Sequence, residues 1–139
     1  MKYYLGVDVG SSESKATLID ENFAIIKTVF AAHDLLNPRP GYFEHDAQKV
    51  WWDDTCRLIR ELLDGCGIAA SEIAAAGCSA LGADLVPVDR ECRPLRNAIL
   101  YGIDSRATEE IAWLNRKYGE ERVLEFNGRP LCSNDIPPK

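Results

Sequence analysis

Two apolar runs joined by a short polar turn begin this chain, and they leave few folds open to it. The first run ends in Asp8, the turn is Gly10-Ser11-Ser12, and the second run extends from Ala16 to Ile19. Runs of strand-forming residues joined by a turn of glycine and hydroxyl residues are typical of two antiparallel strands. We therefore predict a hairpin over residues 3–20, around which the remaining elements pack.

The side chains at this turn suit a phosphate group and its metal ion. N–H groups in a turn form a concavity that binds anions, the Ser11 and Ser12 hydroxyls can donate hydrogen bonds, and Lys15 adds positive charge. The carboxylate of Asp8 can hold Mg²⁺ directly or through water, and Gly10 lets a ligand approach the backbone. The alternative is an ordinary hairpin in which Gly10 only supplies a positive φ. The turn matches neither a Walker loop nor a dinucleotide-binding fingerprint.

Composition is that of an ordinary soluble globular domain. The chain has 139 residues, of which 46% are hydrophobic and 27% charged, so we expect one domain. A net charge of −6 argues against nonspecific binding to nucleic acid. No apolar run approaches the roughly 18 residues of a membrane span, and the N-terminus lacks the features of a signal peptide. We expect a cytoplasmic protein with no membrane partner.

The cysteines and histidines suggest no metal site. Five cysteines are present without C-x-x-C spacing, and we expect reduced thiols, several of them in the core. The two histidines, His33 and His45, are expected to be exposed loop residues, because they lie in a segment broken by prolines and glycine.

The first half of the chain continues as a strand and a helix. Residues 23–30 have the composition of a third strand. Asp46 can cap a helix whose apolar residues recur at three- and four-residue steps down to Gly65. The pair Trp51-Trp52 at its start is expected to pack against the sheet.

The second half alternates strands and helices. We predict a buried strand over residues 77–80, followed by strands over residues 85–89 and 95–101. A helix is predicted from Ser105 to Gly119, capped by Asp104 or Ser105. A shorter helix is predicted over residues 120–126.

Three segments resemble one family of kinases. Asp8 to Ser11 is similar to the D-x-G-[TS] phosphate loop of the superfamily of sugar kinases, heat-shock chaperones and actin. Residues 40–44 resemble the P-G-[WY]-x-E segment of the FGGY family of carbohydrate kinases. Residues 77–107 are similar over their whole length to the FGGY pattern G-[IL]-S-x-Q-x-x-G-x-[VL]-x-[LV]-D-x-x-x-x-P-[LI]-x-x-[AV]-I-x-[WY]-x-D-x-R. The matching residues in this last segment keep their order and spacing: Gly77, Ser79, Asp89, Pro94, Ala98, Ile99, Tyr101, Asp104 and Arg106.

The resemblance implies a fold and an activity. The fold would be α/β, a ribonuclease-H-like (actin-like ATPase) domain whose mixed sheet has three antiparallel first strands and is flanked by helices. Residues 1–139 would be the N-terminal domain of a xylulokinase- or glycerol kinase-like enzyme, truncated so that the second domain is absent. The activity would be ATP-dependent phosphorylation of a sugar or polyol hydroxyl. ATP phosphates and Mg²⁺ would be bound by residues of the first turn, namely Asp8, Gly10, Ser11, Ser12 and Lys15.

The implied substrate site departs from the family. Xylulokinase-like members carry Gln-Met-His-Gly where this chain has Leu81-Gly82-Ala83-Asp84, and the Arg-Glu pair of glycerol kinases is missing. Asp84 would accept hydrogen bonds from substrate hydroxyls, with Gly82 and Ala83 lining the pocket, or it would only cap the turn. Asp104 would fix the site wall together with Arg106, or it would cap the helix, which we favour.

No residue of this chain is assigned as the catalytic base. The family places its catalytic aspartate, second phosphate loop and adenosine site later in the sequence, so we expect little or no turnover from this chain alone. Two other classes stay open. One is a non-enzymatic sugar- or nucleotide-binding module, and the other is an actin- or chaperone-type ATPase fragment, which shares the hairpin but not the pattern at residues 77–107. The full-length protein is a possible homodimer.

Overall fold

Three antiparallel strands open the chain, as predicted. In a computed structural model, which describes residues 1–139, they are β1 (Tyr3–Val9), β2 (Glu13–Asp20) and β3 (Ile25–Ala32). β1 pairs with β2, and β2 pairs with β3. The third strand starts two residues later than predicted because Phe23 lies in a turn with a φ of 64°.

A single helix covers one face of these strands. Asp46 caps it as predicted, since its Oδ1 accepts a hydrogen bond from the Lys49 N–H at 3.1 Å. One π-helical segment, Ala47–Asp53, leads into α1 (Asp54–Leu63). Trp51 packs against the core, but Trp52 is 63% exposed. The prediction for the pair is therefore wrong for Trp52, because consecutive helical residues point in different directions.

The core lies between α1 and this sheet. Leu58 and Leu62 on α1 are completely buried. They pack on apolar side chains that alternate along the three strands, namely Leu5, Val7, Val9, Ala16, Leu18, Val29 and Ala31. This alternation follows from the two-residue period of a strand, which places every second side chain on one face.

The fourth strand of the sheet is β5 (Ile73–Ala80), which pairs in parallel with β1. The strand order is β3-β2-β1-β5, so the sheet is mixed. The predicted strand is present and longer than expected, but its predicted burial is wrong: every residue from Ala74 to Ala80 is exposed. β5 lies at the edge of the sheet, whereas α1 packs over β2 and β3.

The chain divides into two compact units. Residues 1–35 and 46–81 form the first unit, and residues 36–45 and 82–139 form the second unit. A two-stranded antiparallel ribbon lies in the second unit, where β4 (Glu44–His45) pairs with β6 (Ala98–Ile99).

Most of the strand content predicted for the second unit is missing. Residues 85–89 form no strand, and only Ala98–Ile99 of residues 95–101 does. Two isolated bridges join Leu85 to Ile99 and Val88 to Pro94. Pro87 and Pro94 have no N–H to donate, so a regular ladder cannot extend through them.

Two helices complete the second unit. They are α2 (Thr108–Tyr118) and α3 (Glu120–Asn127), and both confirm the predicted elements. α2 stops at Gly119, whose φ is 84°. The predicted cap is wrong, because the residue before α2 is Ala107 and no side chain caps it. None of the helices is both long and apolar enough to cross a membrane.

Several expectations about cysteine and histidine are corrected. All five cysteines are free, but three of them, Cys78, Cys92 and Cys132, are exposed rather than in the core. Both histidines are buried: the His33 side chain is 3% exposed and His45 is completely enclosed. Each lies beside a strand rather than in an open loop, because His33 directly follows β3 and His45 belongs to β4.

Candidate functional site

Asp8 lies near the end of β1, directly beside Ser79 near the end of the parallel strand β5. The Ser79 Oγ donates a hydrogen bond to Asp8 Oδ1 at 2.5 Å. On the other side, Lys15 Nζ lies 3.2 Å from Asp8 Oδ2. Ser79 was not predicted as a site residue, since it is 71 positions from Asp8 in the chain. Its only signal in the sequence was its match to the family pattern.

These partners favour the ionised form of the Asp8 carboxylate. The hydrogen bond from Ser79, and after it that from Lys15, holds the pKa of Asp8 below its ordinary value. The Asp8 side chain is 41% exposed and that of Lys15 is 52% exposed. Both charged groups are therefore accessible to a ligand.

The turn after Asp8 is tight. The Gly10 N–H donates to the Glu13 carbonyl at 3.0 Å. Gly10 does not have a positive φ, so the alternative interpretation of this glycine is wrong. Glycine is required for another reason, because a Cβ at this position would lie 2.7 Å from the Glu13 carbonyl oxygen. Ser11 and Ser12 are exposed at the tip of the turn.

A cavity of about 400 Å³ borders Asp8 on the sheet surface. Gly6 and Gly77 pair with each other in its floor, and a Cβ on either would meet only open space. Because neither glycine has a side chain, no side chain from these two positions fills the cavity. The residues around the cavity are Gly6, Val7, Asp8, Lys15, Thr17, Gly77, Cys78 and Ser79.

The donor set at this turn fits a magnesium ion bound together with phosphate. Mg²⁺ usually takes one or two carboxylates from a protein and completes its coordination with phosphate oxygens and water. Asp8 supplies one ionised carboxylate, and Lys15 and the turn supply partners for phosphate oxygens. The chain contains no cluster of three or more His, Cys, Asp or Glu side chains around a metal position. Phosphate ligands would therefore have to complete a magnesium site here.

The predicted substrate loop of the second unit is built around Asp84. Gly82 and Ala83 are exposed, and Ala83 adopts a φ of 61°, which is rare for a residue with a side chain. Asp84 Oδ1 accepts a hydrogen bond from the Tyr101 N–H at 2.7 Å. Asp84 thus ties this loop to the chain after β6, which is more than a local turn cap. Burial raises the pKa of Asp84, and the Tyr101 N–H opposes that effect.

Asp104 is completely buried in an ionic network. Its Oδ2 accepts hydrogen bonds from the Phe43 N–H at 2.8 Å and from Arg106 Nη2 at 2.7 Å. Arg106 Nη1 reaches Glu44 Oε1 at 2.9 Å, and its guanidinium lies 4.2 Å from the centre of the Tyr42 ring. Asp104 is therefore not a helix cap, and its pairing with Arg106 is the arrangement present. The carboxylate is enclosed rather than presented to a ligand.

Charge pairing dominates the electrostatics of this network. Burial alone would raise the pKa of Asp104, but the bonds from Arg106 and Phe43 outweigh it and hold that pKa below its ordinary value. Burial acts on Glu44 in the same way and is outweighed by hydrogen bonds from Asn97 and Arg106. Both carboxylates are therefore charged in the folded chain.

Two solved structures define the fold class. Xylulose kinase from Rhodospirillum rubrum matches with a TM-score of 0.76 at 24% identity, covering 88% of this chain and 25% of that chain. Plasmodium falciparum glycerol kinase with ADP matches with a TM-score of 0.75 at 19% identity, covering 99% of this chain and 28% of that chain. The fold is that of the actin-like ATPase sugar kinases, a ribonuclease-H-like α/β domain, as predicted.

Sequence comparison gives the family. The FGGY family of carbohydrate kinases, N-terminal domain, matches residues 3–135. A glycerol kinase of Methylobacterium radiotolerans is 32% identical over 135 residues, which are 96% of this chain and 26% of that protein. The chain belongs to the FGGY family of carbohydrate kinases and corresponds to its N-terminal domain. It spans about a quarter of the length of the relatives it matches.

Proposed function

We propose that this chain is the first part of a kinase that uses ATP and Mg²⁺ to phosphorylate a hydroxyl group of a sugar or polyol. The observation that carries the proposal is the position of Asp8 near the carboxyl end of β1, beside Ser79 of the parallel strand β5 and Lys15 of the antiparallel strand β2. Ligands of open α/β sheets bind at the carboxyl ends of such strands. The family membership favours phosphoryl transfer as the chemistry of this site.

Different residues at the turn would bind different parts of Mg-ATP. Lys15 and the turn around Gly10, Ser11 and Ser12 would bind phosphate oxygens. Asp8 would hold the metal ion, directly or through water. A magnesium ion held there would supply positive charge beside the phosphate groups. Asp8 is not proposed as the base, because a carboxylate with a lowered pKa is a weak proton acceptor.

The second unit would supply part of the sugar or polyol site. Asp84 would accept hydrogen bonds from substrate hydroxyls, with the exposed Gly82 and Ala83 backbone beside it. Asp104 would not contact the substrate. Its buried carboxylate would hold Arg106 and the Phe43 backbone in place. Relatives named as glycerol kinase and xylulose kinase suggest polyols and ketose sugars as the substrate class.

Deprotonation of the substrate hydroxyl is proposed to occur elsewhere in the full-length protein. Phosphoryl transfer requires a positioned group that takes the hydroxyl proton. No residue of this chain is assigned that role, and this chain covers only 26% of the length of a matched relative. A cytoplasmic location and a homodimer stay predictions.

The experiment compares Asp8→Asn with the matched control Glu125→Gln in the full-length protein. Both changes remove one negative charge, and Glu125 is an exposed residue of α3. We expect Asp8→Asn to lower kcat/KM for ATP-dependent phosphorylation by on the order of a hundredfold. Glu125→Gln should leave it unchanged. ADP release is measured with a panel of polyols and ketoses.

Two results would contradict the proposal. One is an Asp8→Asn protein with the activity of the wild type. The other is a wild-type protein that releases no ADP with any polyol or ketose of the panel. If the wild type instead binds Mg-ATP by calorimetry without turnover, the non-enzymatic binding module becomes the better description.

A further inference from the structure

His33 lies directly under the turn that we assign to phosphate binding. Its ring Nε2 is 3.0 Å from the Gly10 carbonyl oxygen. Its backbone N–H donates to the Ser12 carbonyl oxygen at 3.0 Å. A carbonyl oxygen can only accept, so the ring nitrogen facing Gly10 must carry the proton. One residue therefore donates two hydrogen bonds to two carbonyls of the same turn.

These bonds fix the direction of the backbone at the tip. The Gly10 C=O and the Ser11 N–H belong to one planar trans peptide unit, in which the two bonds point to opposite sides. Holding the Gly10 carbonyl toward His33 therefore directs the Ser11 N–H away from it. The hydrogen bond from the His33 backbone N–H holds the Ser12 carbonyl toward His33 as well. The closing bond from the Gly10 N–H to Glu13 fixes the remaining side of the turn.

His33 also connects the turn to the helix of the first unit. Its side chain is 3% exposed, so it is enclosed rather than moving in solvent. The other ring nitrogen, Nδ1, lies 3.8 Å from Oδ2 of Asp54, the first residue of α1. Asp54 Oδ1 in turn accepts a hydrogen bond from Arg57 at 3.0 Å. The turn thus rests on a buried ring that contacts the start of a well-packed helix.

We propose that His33 is a positioning residue for the phosphate-binding turn. It holds the Gly10 and Ser12 carbonyls inward and thereby keeps the Ser11 N–H aimed outward before the nucleotide arrives. The role of this N–H in holding a phosphate rests on the proposed function. A turn that is ordered in advance binds more tightly, because less conformational entropy is lost on binding.

The test uses two substitutions at one position in the full-length protein. His33→Phe keeps a ring of similar size but cannot donate to Gly10, whereas His33→Gln keeps an N–H donor of similar reach. We expect His33→Phe to weaken Mg-ATP binding about five- to tenfold, the effect of one lost hydrogen bond. His33→Gln should bind within about twofold of the wild type, because it keeps the bond. Binding is measured by calorimetry.

Amide hydrogen exchange without nucleotide separates this inference from the proposed function. A peptide covering residues 9–14 should exchange faster in His33→Phe than in the wild type or in His33→Gln. If His33→Phe does not fold, which melting temperatures will show, His33→Leu replaces it as the variant without a donor. Equal exchange in wild type and donor-free variant overturns the positioning role. A wild type that binds no Mg-ATP overturns the proposed function instead, whatever the exchange shows.

Discussion

At the scale of single residues, the pKa of Asp8 depends on partners from two neighbouring strands. Ser79 reaches it from β5, and Lys15 reaches it from β2. The first contact is the larger cause of the lowered pKa of Asp8. Ser79, which was not predicted as a site residue, therefore favours the ionised form of Asp8, the residue predicted to hold the metal ion.

Replacing Ser79 tests this dependence. We expect Ser79→Ala to raise the pKa of Asp8 toward its ordinary value of 3.8, because the lowering hydrogen bond is lost. Under the proposed function, the ionised carboxylate of Asp8 binds the metal ion of Mg-ATP, so the acid limb of the pH profile of Mg-ATP binding should move to higher pH. The measurement is Mg-ATP affinity against pH, with Ser71→Ala, an exposed serine outside the sheet, as control. An unshifted acid limb would contradict the role of Ser79.

Asp84 should show the opposite pH behaviour. Its pKa is raised in the folded chain, chiefly by burial, although His45 and Lys139 act to lower it. As pH rises above 3.8, the unfolded chain loses this proton first, so the native state binds more protons and its stability falls. We expect Asp84→Asn to gain stability relative to the wild type between that pH and neutrality. Urea unfolding at both ends of the range measures it, and a constant difference would refute it.

At the scale of elements, the turn between β1 and β2 requires glycine at position 10. We expect Gly10→Ala to destabilise the fold by about 1–3 kcal/mol, because the new methyl group would overlap the Glu13 carbonyl. Gly6→Ala is the matched control on the preceding strand, where the same methyl group meets open space. Urea unfolding of the two variants should separate them. Equal stability would show that the turn yields without cost.

Local patterns predicted the elements whose determinants lie close together in the chain. Apolar runs around a polar turn predicted β1 and β2, β-branched and aromatic content predicted β3, and three- and four-residue spacing predicted α1 and α2. The turn residues Asp8 to Lys15 were predicted as one group because they are near neighbours. Gly77 and Gly82 indicated the strand β5 correctly, but the burial of its small residues depends on what packs above them, which composition does not contain.

The remaining errors come from contacts that are distant in sequence. His33 was expected to be exposed, yet it bonds to Gly10 across 23 positions. Asp104 was expected to cap a helix, yet its carboxylate accepts from Phe43 across 61 positions. Neither partner could be inferred from neighbouring residues. Residues 85–89 form no strand because Pro87 interrupts hydrogen bonding. The prediction gave more weight to the apolar residues of this segment than to the proline.

At the scale of the whole molecule, the chain passes between its two units and back. Residues 36–45 leave the first unit and join residues 82–139 in the second. The ionic network of Glu44, Asp104 and Arg106 joins the two segments of the second unit. The stability of that unit therefore depends on charged groups that are withdrawn from water together.

Breaking this network should be costly. We expect Arg106→Met to destabilise the second unit by about 1.5–3 kcal/mol, because Glu44 and Asp104 each lose a charged hydrogen-bond donor and keep only Arg96 and Lys139 as cationic partners. Arg93→Met is the control, since Arg93 is 71% exposed and its surface pairs should contribute less than about 1 kcal/mol. Hydrogen exchange at residues 98–106 reports the difference. An Arg106→Met protein with exchange rates like those of the wild type would show that the network does not stabilise the unit.

The early position of Glu44 has a consequence for biosynthesis. A ribosome adds about 5–20 residues per second, so roughly 3–12 seconds separate the synthesis of Glu44 from that of Arg106. The three antiparallel strands can pair during this interval, whereas Glu44 cannot pair with Arg106 until Arg106 has been synthesised. Until then the segment around Glu44 is accessible to proteases and chaperones, and the rate of translation determines how long it stays accessible.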